Sequence, residues 1–78
     1  MKRGERKDFI FQQSLKCARE QGIFNFSIND VAESSKCSPS LVKHYHGGIA
    51  KIRKAIINYG MVNKIDWIMD TTVSAIYQ

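Results

Sequence analysis

Seventy-eight residues with a net charge of +5 and 44 % apolar content suffice for one small domain and no more. A chain this short buries only about 60 % of the surface its unfolded state exposes, so its core is marginal and a deep substrate pocket is not expected. The apolar and aromatic content argues against a disordered tail, and apolar runs such as Ala55-Ile56-Ile57 fall far short of the roughly 20 residues of a membrane span.

The chain opens on Lys2, Arg3, Arg6 and Lys7 with no apolar stretch behind them. This reads as a basic, mobile arm rather than a signal peptide, and the expected location is cytoplasmic. Phe9, Ile10, Leu15, Cys17 and Ala18 approximate a stripe of period 3.6 and predict a helix over residues 5–21. Gly22 suits the left-handed position that stops it. Ile23, Phe24 and Phe26 are expected to dive into the core as a short connector. Ser27 is a good cap, with Asp30 three residues on, and predicts a second helix of about two turns ending at Ser34-Ser35-Lys36. Cys37 sits in a turn. Ser38 caps a third helix, Pro39–His46, with proline at its first position and Gly47-Gly48 at its end. Ile49, Ile52, Ile56 and Tyr59 begin a fourth helix. Ile65, Ile68, Met69, Thr72, Val73 and Ile76 continue the stripe, either in the same helix or in a fifth one after a kink or break near Gly60 to Asn63. There is no strand signal.

Charge is unevenly placed. Residues 1–54 hold 11 of the 12 basic groups and five of the seven acids, a net +6, while residues 55–78 net −1. A localised basic excess suggests a polyanion partner, although solubility alone also explains it. Cys17 and Cys37 form no disulfide framework.

Two short helices, each with its own cap, joined by a three-residue turn, have the helix-turn-helix layout. The residues sharpen this. Ser27, Asp30-Val31-Ala32, Cys37-Ser38 and Pro39-Ser40-Leu41-Val42-Lys43-His44-Tyr45 follow one another in a stretch, residues 26–52, that resembles the DNA-binding domain of TetR-type transcriptional regulators. Arg6 to Gly22, with Gly22-Ile23-Phe24, is similar to that family's first helix and turn. The resemblance implies an all-α, TetR-like or homeodomain-like helix-turn-helix bundle of four to five helices. Residues 1–60 would form that domain with its basic arm, and residues 61–78 a C-terminal helical segment that serves as a dimer or partner surface. Three positions depart from the family: Lys36 stands for the turn glycine, His46 for a core phenylalanine and Ile49 for a lysine that touches phosphate. The family also continues into a much longer ligand-binding and dimerisation domain. No small-molecule effector is therefore expected here, and a domain-only regulator of this size suits a phage or mobile element.

The expected function is sequence-specific binding of double-stranded DNA as a transcriptional regulator. One short helix reads few base pairs, which favours a homodimer on a two-fold site. Ser38, Pro39 and Ser40 would approach the groove with free N–H groups. Lys43 and His44 would reach base edges or phosphates, against the plainer reading of a solvated face. Leu41 belongs either to the core or against a thymine methyl, and Tyr45 either donates to a phosphate or packs inside. Ser27 and Asn29 would contact a base or the backbone, with Ser27 also a cap. Lys36 and Lys51 are phosphate candidates, and Lys2, Arg3 and Arg6 would follow a minor groove or the backbone unless they are merely a disordered end. Cys37, His44 and His46 match no zinc spacing, and no Ser/His/Asp pattern suggests a triad, so neither metal, cofactor nor enzymatic activity is expected. The alternative is an interaction module of the same fold that binds a host regulatory protein.

Overall fold

The chain begins in helix α1, Arg3–Gln21, in a computed structural model that describes the backbone of residues 3–76 and the side chains of residues 4–71. Helix α1 covers Arg6 and Lys7, as the span predicted from residue 5 does, so at those two positions the basic run is helix and not a mobile arm. Lys2 and the side chain of Arg3 fall outside the described residues. The inward stripe of α1 is Ile10, Ser14, Cys17 and Ala18. Ser14 fits among apolar neighbours because its hydroxyl donates to the Phe11 carbonyl at 2.7 Å. Phe9 lies off the stripe and is exposed. Burial pushes the Cys17 thiol above its ordinary pKa, which suits a packing residue rather than a nucleophile.

Gly22 ends α1 at φ +100°, and its N–H reaches the Ala18 carbonyl at 2.8 Å. The Asn25 N–H then closes a tight turn onto the Gly22 carbonyl at 3.1 Å. That turn sends Ile23 and Phe26 inward and swings Phe24 out to 49 % exposure, so the connector is only partly a core segment. Helix α2, Ile28–Ser35, starts from a reciprocal capping box. The Asp30 N–H donates to Ser27 Oγ at 3.2 Å, and the Ser27 N–H donates to the Asp30 carboxylate at 2.9 Å. Helices α3, Pro39–His46, α4, Ile49–Val62, and α5, Asp66–Ile76, follow.

The fourth and fifth elements are thus separate helices. Gly60 lies buried inside α4 instead of ending it. The break falls later, where Lys64 takes a left-handed φ of 54° and the Ile65 N–H folds back to the Gly60 carbonyl at 2.9 Å. Every helix contributes to one core: Ile10, Val31, Val42, Ile52 with Ile56, and Ile68 are each at most 2 % exposed, as is Phe26 of the connector. Ile68 is therefore spent within the chain, while Ile65 and Trp67 sit at the core's edge. Val73 and Ile76 lie beyond the described side chains. The result is a compact all-α globule with a Cα radius of gyration of 12.3 Å, near the roughly 12 Å of a folded chain of this length and far below the roughly 27 Å of an unfolded one. No helix among the described residues is long and apolar enough to cross a membrane.

Candidate nucleic-acid interface

Helices α2 and α3 meet across Lys36, Cys37 and Ser38. Lys36 adopts φ 57° and ψ 45°. Its N–H reaches the Glu33 carbonyl at 3.2 Å, and the Cys37 N–H reaches the Ala32 carbonyl at 3.0 Å. These bonds satisfy the end of α2 and turn the chain sharply. Ser38 then caps α3, its hydroxyl oxygen accepting from the Leu41 N–H at 3.2 Å, and Pro39 fills the first position, where a missing N–H costs nothing. Such a two-helix unit is too short to persist alone. Burial of Val31, Ala32 and Val42 holds it on the core, with help from a bond between the Ser34 hydroxyl and Gln13 Oε1 at 2.7 Å.

Because Val42 is the inward anchor of α3, the opposite side of that helix faces solvent. Ser38, Pro39, Ser40, Lys43 and His44 are all exposed. Leu41 is half-exposed and takes no part in the core packing, whereas Tyr45 packs against the core and meets the His44 ring edge-on at 5.4 Å. Ser27 and Asn29 are exposed at the start of α2, but the Ser27 hydroxyl is committed to the Asp30 carboxylate at 3.0 Å. Lys36 is exposed at the turn, and Arg6 comes beside it, the two lining a cavity of about 100 Å³ with Ser35 and Cys37.

The end of α3 is built differently from what the resemblance implies. His46 is half-buried; its Nε2 lies 2.9 Å from the Lys7 carbonyl and its ring 6.1 Å from that of Phe11. With the proton on Nε2 it ties α3 to the first turns of α1, a polar bond where a larger aromatic would only pack. Ile49 packs against the core, so that position offers no contact to an anion. Lys51 is exposed one turn into α4, and its stem runs against Gly47, where an added Cβ would come within 2.6 Å of Lys51 Cδ. A basic group thus stands near the junction of α3 and α4 after all.

Arg53 is the structural residue that pattern reasoning missed. Its Nε–H donates to the Ile23 carbonyl at 3.1 Å, and Nη2 donates to Phe24 and Phe26 carbonyls at 3.2 and 3.4 Å. The guanidinium also lies 6.0 Å from the Phe26 ring centre. It holds the connector from which Ser27 starts α2. Among the described residues, no group of three or more His, Cys, Asp or Glu side chains gathers to hold a metal.

Comparison with protein families, with curated proteins and with solved structures finds no match to this chain.

The turn itself supports a prediction. A lysine at a left-handed φ is strained by about 1–2 kcal/mol, partly offset by the entropy a glycine would lose. Lys36→Gly is expected to raise stability by about 0.5–1 kcal/mol, read as a higher urea midpoint with an unchanged slope. A fall in the midpoint would contradict the strain assigned to this residue.

Proposed function

We propose that the chain is a transcriptional regulator of the TetR-like helix-turn-helix type that binds double-stranded DNA as a homodimer. The observation that carries this reading is the α2–turn–α3 unit. Val42 pins one side of α3 to the core, and Ser40, Lys43 and His44 stand out on the other. An α-helix with its side chains is about 10–12 Å across, which fits the major-groove width of about 12 Å. Lys36, Lys51 and Arg6 surround that face, within the part of the chain that nets +6. In this arrangement Ser38, Pro39 and Ser40 enter the groove first, Leu41 offers an apolar contact to a thymine methyl, and Lys43 and His44 meet base edges or phosphates. Asn29, Lys36 and Lys51 hold the register on the backbone, and Arg6 belongs with them, while Ser27 serves as the α2 cap and Tyr45 as the support of α3 on the core.

The test is selection of bound sequences from random duplexes, followed by affinity against salt for the selected site. Lys43→Ala with His44→Ala is expected to weaken binding about ten-fold or more and to flatten the salt slope by about one. Binding that neither variant nor salt alters would overturn the reading. Ile49, turned to the core where the resemblance expects a phosphate-touching lysine, favours a second reading, an interaction module for a host regulatory protein. Total absence of duplex binding at micromolar protein and low salt would select it.

A further inference from the structure

A groove of about 300 Å³ opens between α1, α4 and α5, on a side to which neither α2 nor α3 contributes. Leu15, Tyr59, Ile65 and Trp67 form its apolar wall, each half-buried at the edge of the core. Val62, one turn beyond Tyr59, extends the apolar strip and is 71 % exposed. Lys16 and Arg19 line the groove from α1 and are exposed, and neither enters an ion pair among the described residues. Helix α5 carries the opposite sign. Asp66 and Asp70, four residues apart on one face, are exposed and equally unpaired among the described residues.

We infer that this groove seats helix α5 of a second copy of the chain, with Asp66 and Asp70 of each copy set against Lys16 and Arg19 of the other. The signs around the groove choose the occupant. A uniformly acidic partner would be drawn to Lys16 and Arg19 but repelled by Asp66 and Asp70. A uniformly basic one would meet the reverse conflict. A partner must carry both signs in complementary order, on either side of an apolar strip. A second copy related by a two-fold axis through Ile65 and Trp67 does so, and each charge pairing then occurs twice. The apolar strip supplies the buried centre and the charges its rim. The contact also leaves the exposed face of α3 free on both copies. It thereby supplies the two-fold partner that the DNA reading calls for, although the contact itself needs no DNA.

The experiment is sedimentation equilibrium of the full chain without nucleic acid, with helix content checked by circular dichroism. The wild type is expected at twice the 8.9 kDa chain mass at about 100 μM, a weak dimer suited to a small interface. Raising the salt is expected to weaken it several-fold. Lys16→Glu with Arg19→Glu, and separately Asp66→Lys with Asp70→Lys, are each expected to weaken the dimer at least about ten-fold, and all four changes together to restore it. A wild type that stays monomeric at that concentration would overturn the inference and leave the groove to a different partner. So would a dimer indifferent to salt and to both reversals, or a fourfold variant that stays monomeric while folded. A wild type that is monomeric yet binds duplex sinks this inference and the homodimer part of the DNA reading, and a wild-type dimer that binds no duplex sinks only the DNA reading.

Discussion

Gly60→Val is expected to destabilise the domain by about 3 kcal/mol, the upper end of ordinary overpacking. A Cβ at position 60 would lie 2.2 Å from Ile68 Cγ2 and 2.5 Å from Ile68 Cβ. Ile68 Cβ is fixed to the backbone of α5, so no rotamer change clears it. Helix α5 would have to lift off α4. Ile68 is fully buried at 0 % exposure, so that lift opens the core. Gly60→Ala sets two effects against each other. Helix propensity favours alanine by about 1 kcal/mol, and the overlap opposes it. The overlap should win, with a net loss of about 1–2 kcal/mol. Against a total of about 4–12 kcal/mol for a domain of this size, either change is large, and each kcal/mol lowers Tm by roughly 4–8 °C. Gly4→Ala is the control, because nothing lies within 4 Å of its added methyl. It should be neutral or slightly stabilising. A Gly60→Ala protein as stable as the wild type in urea would refute the close contact between α4 and α5.

Gly60 also shows where the sequence is legible and where it is not. Ser27 with Asp30, Gly22, Ser38 with Pro39, and Gly47-Gly48 mark helix ends through contacts spanning five residues or fewer, so their roles can be read from order alone. Gly60 looks like the same kind of stop signal. Its role is set instead by Ile68, which only folding brings against it. Ser14 breaks the apolar stripe of α1 on paper, but a bond to its own helix backbone lets it sit inside. Phe24 belongs by composition with Ile23 and Phe26, yet the turn closed by Asn25 points it outward. On α3 the pattern leaves Leu41 and Tyr45 open between core and surface. Val42 as anchor settles the packing, with Tyr45 against the core and Leu41 outside it. At the start of α1 the basic run reads by composition as an arm and by periodicity as a helix from residue 5; the helix begins at Arg3, because Arg, Lys and Glu are good helix formers.

Arg53→Met is expected to cost about 2–3 kcal/mol in stability and to weaken duplex binding without touching the proposed DNA face. The guanidinium donates to three carbonyls of the connector, those of Ile23, Phe24 and Phe26. A hydrogen bond to a charged group contributes about 1.5–3 kcal/mol, and the bonds here are only partly buried, which puts the combined loss near the value of one good bond. Methionine keeps most of the stem's packing, so the variant isolates the head group. Lysine should rescue little, because a single ammonium cannot span carbonyls that the planar fork reaches from two of its nitrogens. The consequence for binding follows from connectivity. Phe26 leads directly into Ser27, whose capping box fixes the first turn of α2, and α2 carries α3 through the three-residue turn. Loosening the connector should therefore raise amide exchange at Ser27 to Asp30 and increase Kd several-fold, while the dimer mass stays unchanged. If Arg53→Lys matched the wild type in both urea midpoint and Kd, the fork would have no special part in holding α2. If Arg53→Met lost stability but kept full affinity, the connector would support the core without setting the aim of α3.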